Sequence, residues 1–220
     1  MSRLVPSDWE QAYLRFETPE QEVRKFVRRL RYLGAESWPR DARVVDLFCG
    51  RGGGARALER LGFTRVEGID LSAALVEQYS GPSKLRVGDC RDLPFPDASQ
   101  DVAVVQGGLH HLESLPDDLE RTLAEIRRVL RPGGIFVAVE PWSTPFLKIV
   151  HAFCDIPIAR RVCPRLDALA SMIEYERATY RVWLSRPDLI LSLVQRHFKP
   201  ARLTVRLGKL LLVALRPERA

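Results

Sequence analysis

Residues 43 to 58 have the sequence Arg43-Val44-Val45-Asp46-Leu47-Phe48-Cys49-Gly50-Arg51-Gly52-Gly53-Gly54-Ala55-Arg56-Ala57-Leu58. The stretch begins as a short apolar run rich in β-branched residues, too brief for a helix, and this predicts a buried strand. Four glycines in five positions follow, and apolar residues at helical spacing then continue until Gly62. A strand, a glycine loop and a helix form the start of a βαβ unit, in which the loop passes close to a ligand and the helix amino end points at it.

This pattern alone leaves two kinds of nucleotide-containing cofactor open, because residues 50–55 also satisfy the dinucleotide fingerprint G-x-G-x-x-G/A. Acidic residues at three successive strand ends narrow the choice. Asp46 lies at the end of the first strand, Asp70 ends a second strand over residues 65–70, and Asp89 follows a third over residues 84–87. Nicotinamide enzymes share the second carboxylate but do not require the third.

This set of residues resembles the class I S-adenosylmethionine (SAM)-dependent methyltransferases. The resemblance continues through residues 92–101, through Gly108-Leu109-His110-His111-Leu112 and through Arg128-Val129-Leu130-Arg131-Pro132-Gly133-Gly134, in order and with family spacing. The succession is similar to the methyltransferase-11 branch, which includes the ubiquinone- and menaquinone-pathway C-methyltransferases. It covers roughly residues 40 to 142 and implies a Rossmann-like fold with SAM as the cofactor.

The resemblance also implies a role for each strand end. Asp46 would order the glycine loop or meet the methionine amino group through water, Asp70 would accept from both ribose hydroxyls, and Asp89 would accept from the adenine amino group. Gly50 and Gly52 would let the loop pass under the methionine moiety. The predicted cofactor-binding residues are Asp46, Phe48, Cys49, Gly50, Gly52, Asp70, Leu71, Asp89, Cys90, Gln106 and Gly107.

Phe48 departs from the family pattern, which commonly has glycine at this position. The string Asp46-Leu47-Phe48-Cys49-Gly50 also resembles the opening motif of DNA cytosine-5 methyltransferases. Those enzymes need a Pro-Cys nucleophile after the fourth strand, where this chain has Gln106-Gly107-Gly108. We therefore reject that identity, while the path of the loop around Phe48 stays open at this point.

Methyl transfer from a sulfonium is an in-line displacement, which mainly requires alignment of donor and acceptor and exclusion of water. A base is needed only if the acceptor must lose a proton, so no catalytic triad is expected. The candidate catalytic residues are His110, His111 and Glu140. Each histidine is either a base or a residue that shapes the pocket. Glu140 would act as a base, bind a cationic substrate or pair with an arginine.

The rest of the chain predicts a seven-stranded α/β sheet, mostly parallel with one antiparallel strand and with helices on both faces. The last two strands, residues 201–205 and 210–215, are joined by a connection short enough to make them antiparallel. We expect a single methyltransferase domain over residues 1–220. Residues 1–40, with Trp9, Tyr13 and Phe16, would either pack on it or form a helical flap, and residues 141–186 would form a cap insertion or ordinary core.

Composition limits the partners. The net charge is +6, but the excess arginine is spread over helices and no basic run is interleaved with aromatics, which argues against nucleic acid. Four cysteines without a paired framework indicate a reducing compartment, and His151, Cys154 and Cys163 match no zinc spacing, so no metal is predicted. The absence of a leader or a spanning apolar run predicts a cytoplasmic protein, monomeric or homodimeric, with peripheral membrane contact left open.

These observations predict transfer of a methyl group from SAM to a small or medium, partly apolar acceptor. Two alternatives stay open. One is a SAM-binding protein without transferase activity. The other is an RNA or protein methyltransferase, although the Asn/Asp-Pro-Pro-aromatic motif of many planar-amine modifiers is missing after the fourth strand.

Overall fold

The computed structural model describes residues 8–218, with side chains from residue 11 onward. The first seven residues of the predicted flap and the side chain of Trp9 therefore lie outside the described part. The strands are β1 Arg43–Leu47, β2 Arg65–Asp70, β3 Lys84–Val87, β4 Gln100–Gln106, β5 Leu130–Pro141, β6 Lys199–Arg206 and β7 Lys209–Leu215. The helices are α1 Asp8–Phe16, α2 Pro19–Tyr32, α3 Gly53–Arg60, α4 Ala73–Val76, α5 Asp117–Val129, α6 Pro145–Cys154, α7 Pro157–Val162, α8 Pro164–Tyr175, α9 Arg177–Ser185 and α10 Pro187–His197.

The seven strands form one sheet in the order β3-β2-β1-β4-β5-β7-β6. Strands β1 to β5 are parallel, and β7 runs antiparallel to both of its neighbours. The predicted fold class is therefore confirmed. Since β1, β2 and β4 are parallel neighbours, their carboxyl ends meet at one edge of the sheet, where ligands bind in such folds.

Successive residues of each central strand point to opposite faces, and both faces are covered. Val44, Val104 and Val137 pack against α2 and α3, whereas Val45 and Phe136 pack against α5 and α10. The alternation explains why these strands are almost wholly apolar, since neither face is left to solvent. Asp46 is the exception within β1, and it is buried.

Helix α2 begins with the predicted capping box. The Thr18 hydroxyl accepts a hydrogen bond from the Gln21 backbone N–H at 3.3 Å, and the Gln21 side chain accepts from the Thr18 N–H at 3.1 Å. Val23, Phe26 and Leu30 are buried against the sheet as the apolar stripe predicts. The cap fixes where α2 starts and thereby which of its side chains reach the glycine loop.

Strand β5 is longer than the residues 135–139 that the sequence predicts. It starts at Leu130, directly after α5, and its register with β4 shifts between the pairs Gln100↔Leu130 and Val102↔Ile135. Pro132-Gly133-Gly134 therefore forms an irregularity inside the strand, with Gly133 at φ +71°, and it also ends the helix as predicted. At the other end, pairing with β7 continues to Pro141↔Lys209.

Residues 141–186 form four helices, α6 to α9, between β5 and α10. Their two ends are tied together, because the Trp183 indole N–H donates to the Pro141 carbonyl at 2.9 Å and the ring meets the edge of Trp142. The outer sides of α6 and α7 expose Ile149 and Ile158. Among residues 8–218, none of the helices combines the length and apolar character needed to cross a bilayer.

Candidate active site

A cavity of about 1550 Å³ opens at the carboxyl ends of the central strands, between the sheet and helices α1, α2, α6, α8 and α9. Ordinary ligand pockets have volumes of roughly 300–1,000 Å³, so this one has room for a nucleoside cofactor and a second molecule together. It brings together most of the predicted site residues: Asp46, Phe48, Cys49, Gly50, Asp70, Leu71, Asp89, Cys90, Gln106, Gly107, His110 and His111. Two predicted residues, Gly52 and Glu140, do not line it.

Gly52 supports the loop from behind instead of facing the cavity. It has φ +82°, and a Cβ added there would lie 2.3 Å from the Tyr79 ring. Glycine is therefore required by both backbone conformation and the close approach of Tyr79. Gly50, with φ +50°, is the loop glycine that does line the cavity.

Phe48 resolves the path of the loop that the sequence left open. Its backbone has φ +55°, a left-handed conformation that favours glycine. Its ring packs on Gly108, where an added Cβ would lie 2.2 Å from the ring. The loop therefore follows the course a glycine would allow, and the phenylalanine links it to the residues after β4.

Asp46 lies beneath the loop with its carboxylate almost inaccessible to solvent. Burial, together with the nearby charges of Glu22 and Asp70, raises its pKa to about 8. Its Oδ2 atom has no hydrogen-bond partner anywhere in residues 8–218. A buried carboxylate of this kind is suited to accept from a cationic amine, which would favour its ionised form.

Glu22 is a site residue that the sequence analysis missed. It is buried beside the loop, it accepts from Arg51 Nε at 3.0 Å, and it is hydrogen-bonded to the Tyr13 hydroxyl. Burial and the neighbouring Glu22 raise the pKa of Tyr13. The sequence did contain an indication that Glu22 is buried, because it lies four positions before Phe26 and thus on the apolar face of α2.

Asp70 ends β2 and is held in place by the backbone. Its Oδ2 accepts from the Gly50 N–H at 2.8 Å and its Oδ1 from the Ser72 N–H at 2.9 Å. A carboxylate has about four acceptor positions, so both oxygens keep capacity for ligand hydroxyls. The exposed side chain of Leu71 lies next to it on the cavity wall.

Asp89 lines the cavity, but its carboxylate is already engaged. Arg91 donates from its backbone N–H, Nε and Nη2 to the two Asp89 oxygens at 2.8–3.1 Å, and its Nη1 reaches Asp118 at 2.8 Å. Hydrogen bonding to Arg91 lowers the pKa of Asp89. If Asp89 binds an adenine amino group as predicted, that group and Arg91 must both use the same carboxylate oxygens. The Asp89–Arg91 pairing was not predicted from the sequence, although the two residues lie close together in it.

Gln106 and Gly107 end β4 at the cavity. Both polar atoms of the Gln106 side-chain amide are buried, and neither has a partner in the described chain. Buried polar groups are normally hydrogen-bonded. The unpartnered atoms of Gln106 and Asp46, with the remaining acceptors of Asp70, therefore fit a ligand that carries an amine, a carboxylate and hydroxyls, as SAM does.

Glu140 does not line the cavity, and its carboxylate is enclosed by donors of the protein, so its role as a base or substrate-binding residue stays a prediction. Its Oε1 accepts from the Gly108 and Leu109 N–H groups, each at 2.9 Å, and its Oε2 lies 2.7 Å from His110 Nδ1. The other ring nitrogen of His110 lies 3.4 Å from Glu176. Burial by itself lowers the pKa of His110, but the two carboxylates outweigh it and raise that pKa, so Glu140 positions the imidazole and favours its protonated form.

His111 differs from its neighbour. Burial and repulsion from His110 lower the pKa of His111, so its imidazole is neutral at pH 7 and able to accept a proton. Potential metal-binding atoms of His110, His111 and Glu176 lie within 4.8 Å of one another. Both histidines lie near Glu176, His110 Nε2 at 3.4 Å and His111 Nδ1 at 3.6 Å, so the three side chains form one polar cluster.

The opposite wall of the cavity carries cations that the sequence analysis did not single out. Lys25 is paired with Glu17, whereas Arg29 and Lys209 face the cavity from α2 and from the start of β7. Burial and repulsion from Arg29 lower the pKa of Lys209 to about 8. Apolar side chains complete this part of the wall: Phe146, Leu147, Val150, Leu169, Met172 and Ile173.

Comparison with known proteins agrees with this geometry. Residues 45–138 match the family described as Methyltransferase domain, Methyltransf_11. A demethylmenaquinone methyltransferase of Symbiobacterium thermophilum is 32% identical over 119 residues, 49% of this chain and 45% of that protein. A dimethylglycine N-methyltransferase of Parasynechococcus marenigrum is 29% identical over 190 residues, 80% of this chain and 63% of that protein.

Among solved structures, a Pyrococcus horikoshii protein, PH0226, has the same fold, with a TM-score of 0.69, 22% identity, and coverage of 96% of this chain and 100% of that one. The chain spans about half to two thirds of the length of the two curated relatives named above. The match over residues 45–138 includes the glycine loop and the strand ends at Asp70, Asp89 and Gln106. Residues 45–138, which hold the glycine loop and these strand ends, therefore match a methyltransferase family model, and the whole chain shares the fold of the solved structure.

Proposed function

We propose that this chain transfers the methyl group of SAM to a small or medium, partly apolar acceptor. The observation that carries the proposal is one continuous cavity with two chemically different halves. One half holds the glycine loop, Asp46, Asp70 and Gln106, and the other is walled by apolar side chains of α6 and α8. A methyltransferase needs both, since donor and acceptor must be aligned in one water-poor space.

The cofactor half would hold SAM by residues at successive strand ends. Asp46 and Gln106, with their unpartnered buried atoms, would bind the methionine moiety, and Asp70 would accept from the ribose hydroxyls. Leu71 would cover the nucleoside, and Asp89 would face the adenine from its pairing with Arg91. When bound, SAM supplies a methyl group on a positively charged sulfur, which needs no further activation.

The acceptor half lies at the carboxyl ends of β4 and β5, next to His110 and His111. If the acceptor atom carries a proton, His111 would be a group able to receive it, because its lowered pKa leaves the ring unprotonated at pH 7 and it lies on the cavity wall. His110 would stay charged between Glu140 and Glu176 and would fix the wall against which the acceptor lies. Helices α6 and α8 would exclude water.

The names of two relatives favour a small molecule as acceptor, since one is a demethylmenaquinone and the other a dimethylglycine methyltransferase. The test is to incubate the purified chain with methyl-labelled SAM and separate pools of quinols, small aryl acids and amines, RNA and protein. Label in a small-molecule pool supports the proposal. Label found only in RNA or protein would instead support an RNA or protein methyltransferase. SAM binding with no transfer to any pool would support a SAM-binding protein without transferase activity.

A further inference from the structure

We propose that Arg29 and Lys209 form an anion-binding subsite in the acceptor half of the cavity. The acceptor would then be an apolar molecule that carries an anionic oxygen group, such as a carboxylate. This inference rests on the proposed function, because it names the class of acceptor for that same cavity.

Two different elements bring these side chains to one wall. Lys209 is the first residue of β7 and pairs with Pro141 of β5, so it lies at the sheet edge where β5 ends. Gly208 before it is covered by α6, because an added Cβ there would lie 3.1 Å from Leu147. Arg29 reaches the same wall from α2, one turn after Lys25.

The two cations differ from the others around the cavity in having no carboxylate partner. Lys25 pairs with Glu17, Arg51 with Glu22, and Arg91 with Asp89 and Asp118. Within the described chain, neither Arg29 nor Lys209 has a carboxylate in ion-pair contact, and the Arg29 guanidinium lies 5.8 Å from the centre of the Phe26 ring. Glu17 and Glu140 act on Arg29, and Glu140 and Glu176 act on Lys209, through longer-range attraction alone. Two buried like charges without a carboxylate in direct contact are expected to bind an anion.

The electrostatics agree with this geometry. Burial and the charge of Arg29 lower the pKa of Lys209 to about 8, so the folded protein already opposes the charge on this lysine. An anion between the two side chains would relieve that repulsion and restore the ammonium form. Apolar residues Leu147 and Val150 of α6 line the same cavity, which matches an anionic group attached to an apolar body.

A second anion, the methionine carboxylate of SAM, would occupy the same cavity, but its predicted place is different. The methionine moiety would lie over β1 and β4, whereas Lys209 begins β7, two strands beyond β4. Strands in a sheet lie about 4.8 Å apart, so Lys209 starts roughly 10 Å from β4 and roughly 14 Å from β1. The subsite is therefore assigned to the acceptor and not to the cofactor.

The test compares 2-naphthoate with 2-naphthamide, which share an apolar body and differ in charge. Ligand-observed NMR titrations use the wild-type chain, Lys209→Met, Arg29→Met and the double variant, with and without saturating S-adenosylhomocysteine. The control is Arg28→Met, an exposed neighbour on α2. We expect naphthoate to bind the wild type at least about tenfold more tightly than naphthamide, because only naphthoate carries a negative charge for the two cations. A tenfold difference in affinity corresponds to about 1.4 kcal/mol. The double variant should lose this preference, and the control should keep it.

Equal affinities for the two probes in the wild type, or no naphthoate binding, would overturn the subsite without any variant. So would a double variant that keeps the preference. If the double variant instead loses S-adenosylhomocysteine affinity while naphthoate binding is unchanged, the cations belong to the cofactor carboxylate. If the wild type fails to bind S-adenosylhomocysteine, the proposed function fails. The titrations of the two probes in the absence of S-adenosylhomocysteine then still show whether the anion-binding subsite exists.

Discussion

Phe48 shows how one residue identity can obscure the path of a backbone loop. Its φ of +55° costs an ordinary residue on the order of 1 kcal/mol, a cost that glycine does not have. Contact of the ring with Gly108 offsets part of this cost, since the ring packs directly on the backbone after β4. The loop and the residues around His110 are thereby joined in a way that a glycine at position 48 would not provide.

Gly54 lies very close to the Asp46 carboxylate. A Cβ added at Gly54 would lie 2.3 Å from Asp46 Oδ2, closer than packed atoms can come. We expect Gly54→Ala to displace the carboxylate and to weaken S-adenosylhomocysteine binding about tenfold or more, as a loss of at least 1.4 kcal/mol. Titration calorimetry measures this effect.

The matched control is Gly62→Ala at the other end of α3. Gly62 has φ +88°, so alanine there is strained, but its nearest neighbour is Arg40 at 3.7 Å and it does not touch the site. This variant should lose stability and keep its affinity. Equal affinities for Gly54→Ala and the wild type would show that Asp46 is not held as described.

Asp46 also predicts a pH dependence of stability. Its folded pKa is about 8, against about 3.9 for an unfolded aspartate, so between these values the folded state holds the extra proton. Raising the pH therefore favours unfolding. From pH 5.5 to 7.5 we expect the wild type to lose roughly 2 kcal/mol of unfolding free energy relative to Asp46→Asn.

Urea unfolding of both proteins at the two pH values measures this difference. Asp41→Asn, at an exposed position just before β1, serves as the control and should follow the wild type. A pH dependence unchanged in Asp46→Asn would mean that Asp46 is ionised in the folded protein.

At the scale of elements, helix α6 has a divided surface. Phe146, Leu147 and Val150 line the cavity, while Ile149 and Phe153 lie exposed on the outer side. A helix that packs on one side only and covers a ligand cavity is expected to open more readily than the central strands. This arrangement motivates the proposal that residues 141–186 act as a cap over the acceptor.

Hydrogen exchange tests the cap. In the free protein, residues 142–155 should exchange faster than β4, and they should become more protected when S-adenosylhomocysteine and an acceptor-sized probe such as 2-naphthoate are bound together. The last turns of helix α5, where Ile126 and Val129 are buried in the core, should not change and serve as the internal reference. Protection of α6 equal to that of β4 and insensitive to ligand would make this segment ordinary core.

Across the whole molecule, the features that could be predicted from the sequence are those that depend on short stretches of residues. Apolar runs located the strands, Thr18 and Gly62 located helix ends, and the acidic strand ends Asp46 and Asp70 meet at the cavity as expected. Parallel pairing explains this success, because it brings the carboxyl ends of neighbouring strands together whatever lies between them.

The sequence did not reveal contacts between distant segments. Glu22 with Arg51 and Arg29 beside Lys209 depend on how α2 and β7 approach the sheet, which no local spacing encodes. The sequence places Glu140 at a strand end, but it does not show the three groups that enclose its carboxylate. The apolar pattern of helices α6 to α9 can likewise be recognised in the sequence, but the way these helices pack on one another cannot.

The central claim is that the glycine loop and Asp70 bind SAM, and titration calorimetry with S-adenosylhomocysteine and with NAD tests it most directly. We expect the wild type to bind S-adenosylhomocysteine and not NAD. Asp70→Ala should weaken that binding about 100-fold or more, because two charged hydrogen bonds at roughly 1.5–3 kcal/mol each are removed. Wild-type protein that binds NAD instead, or an unchanged S-adenosylhomocysteine affinity in Asp70→Ala, would contradict the claim.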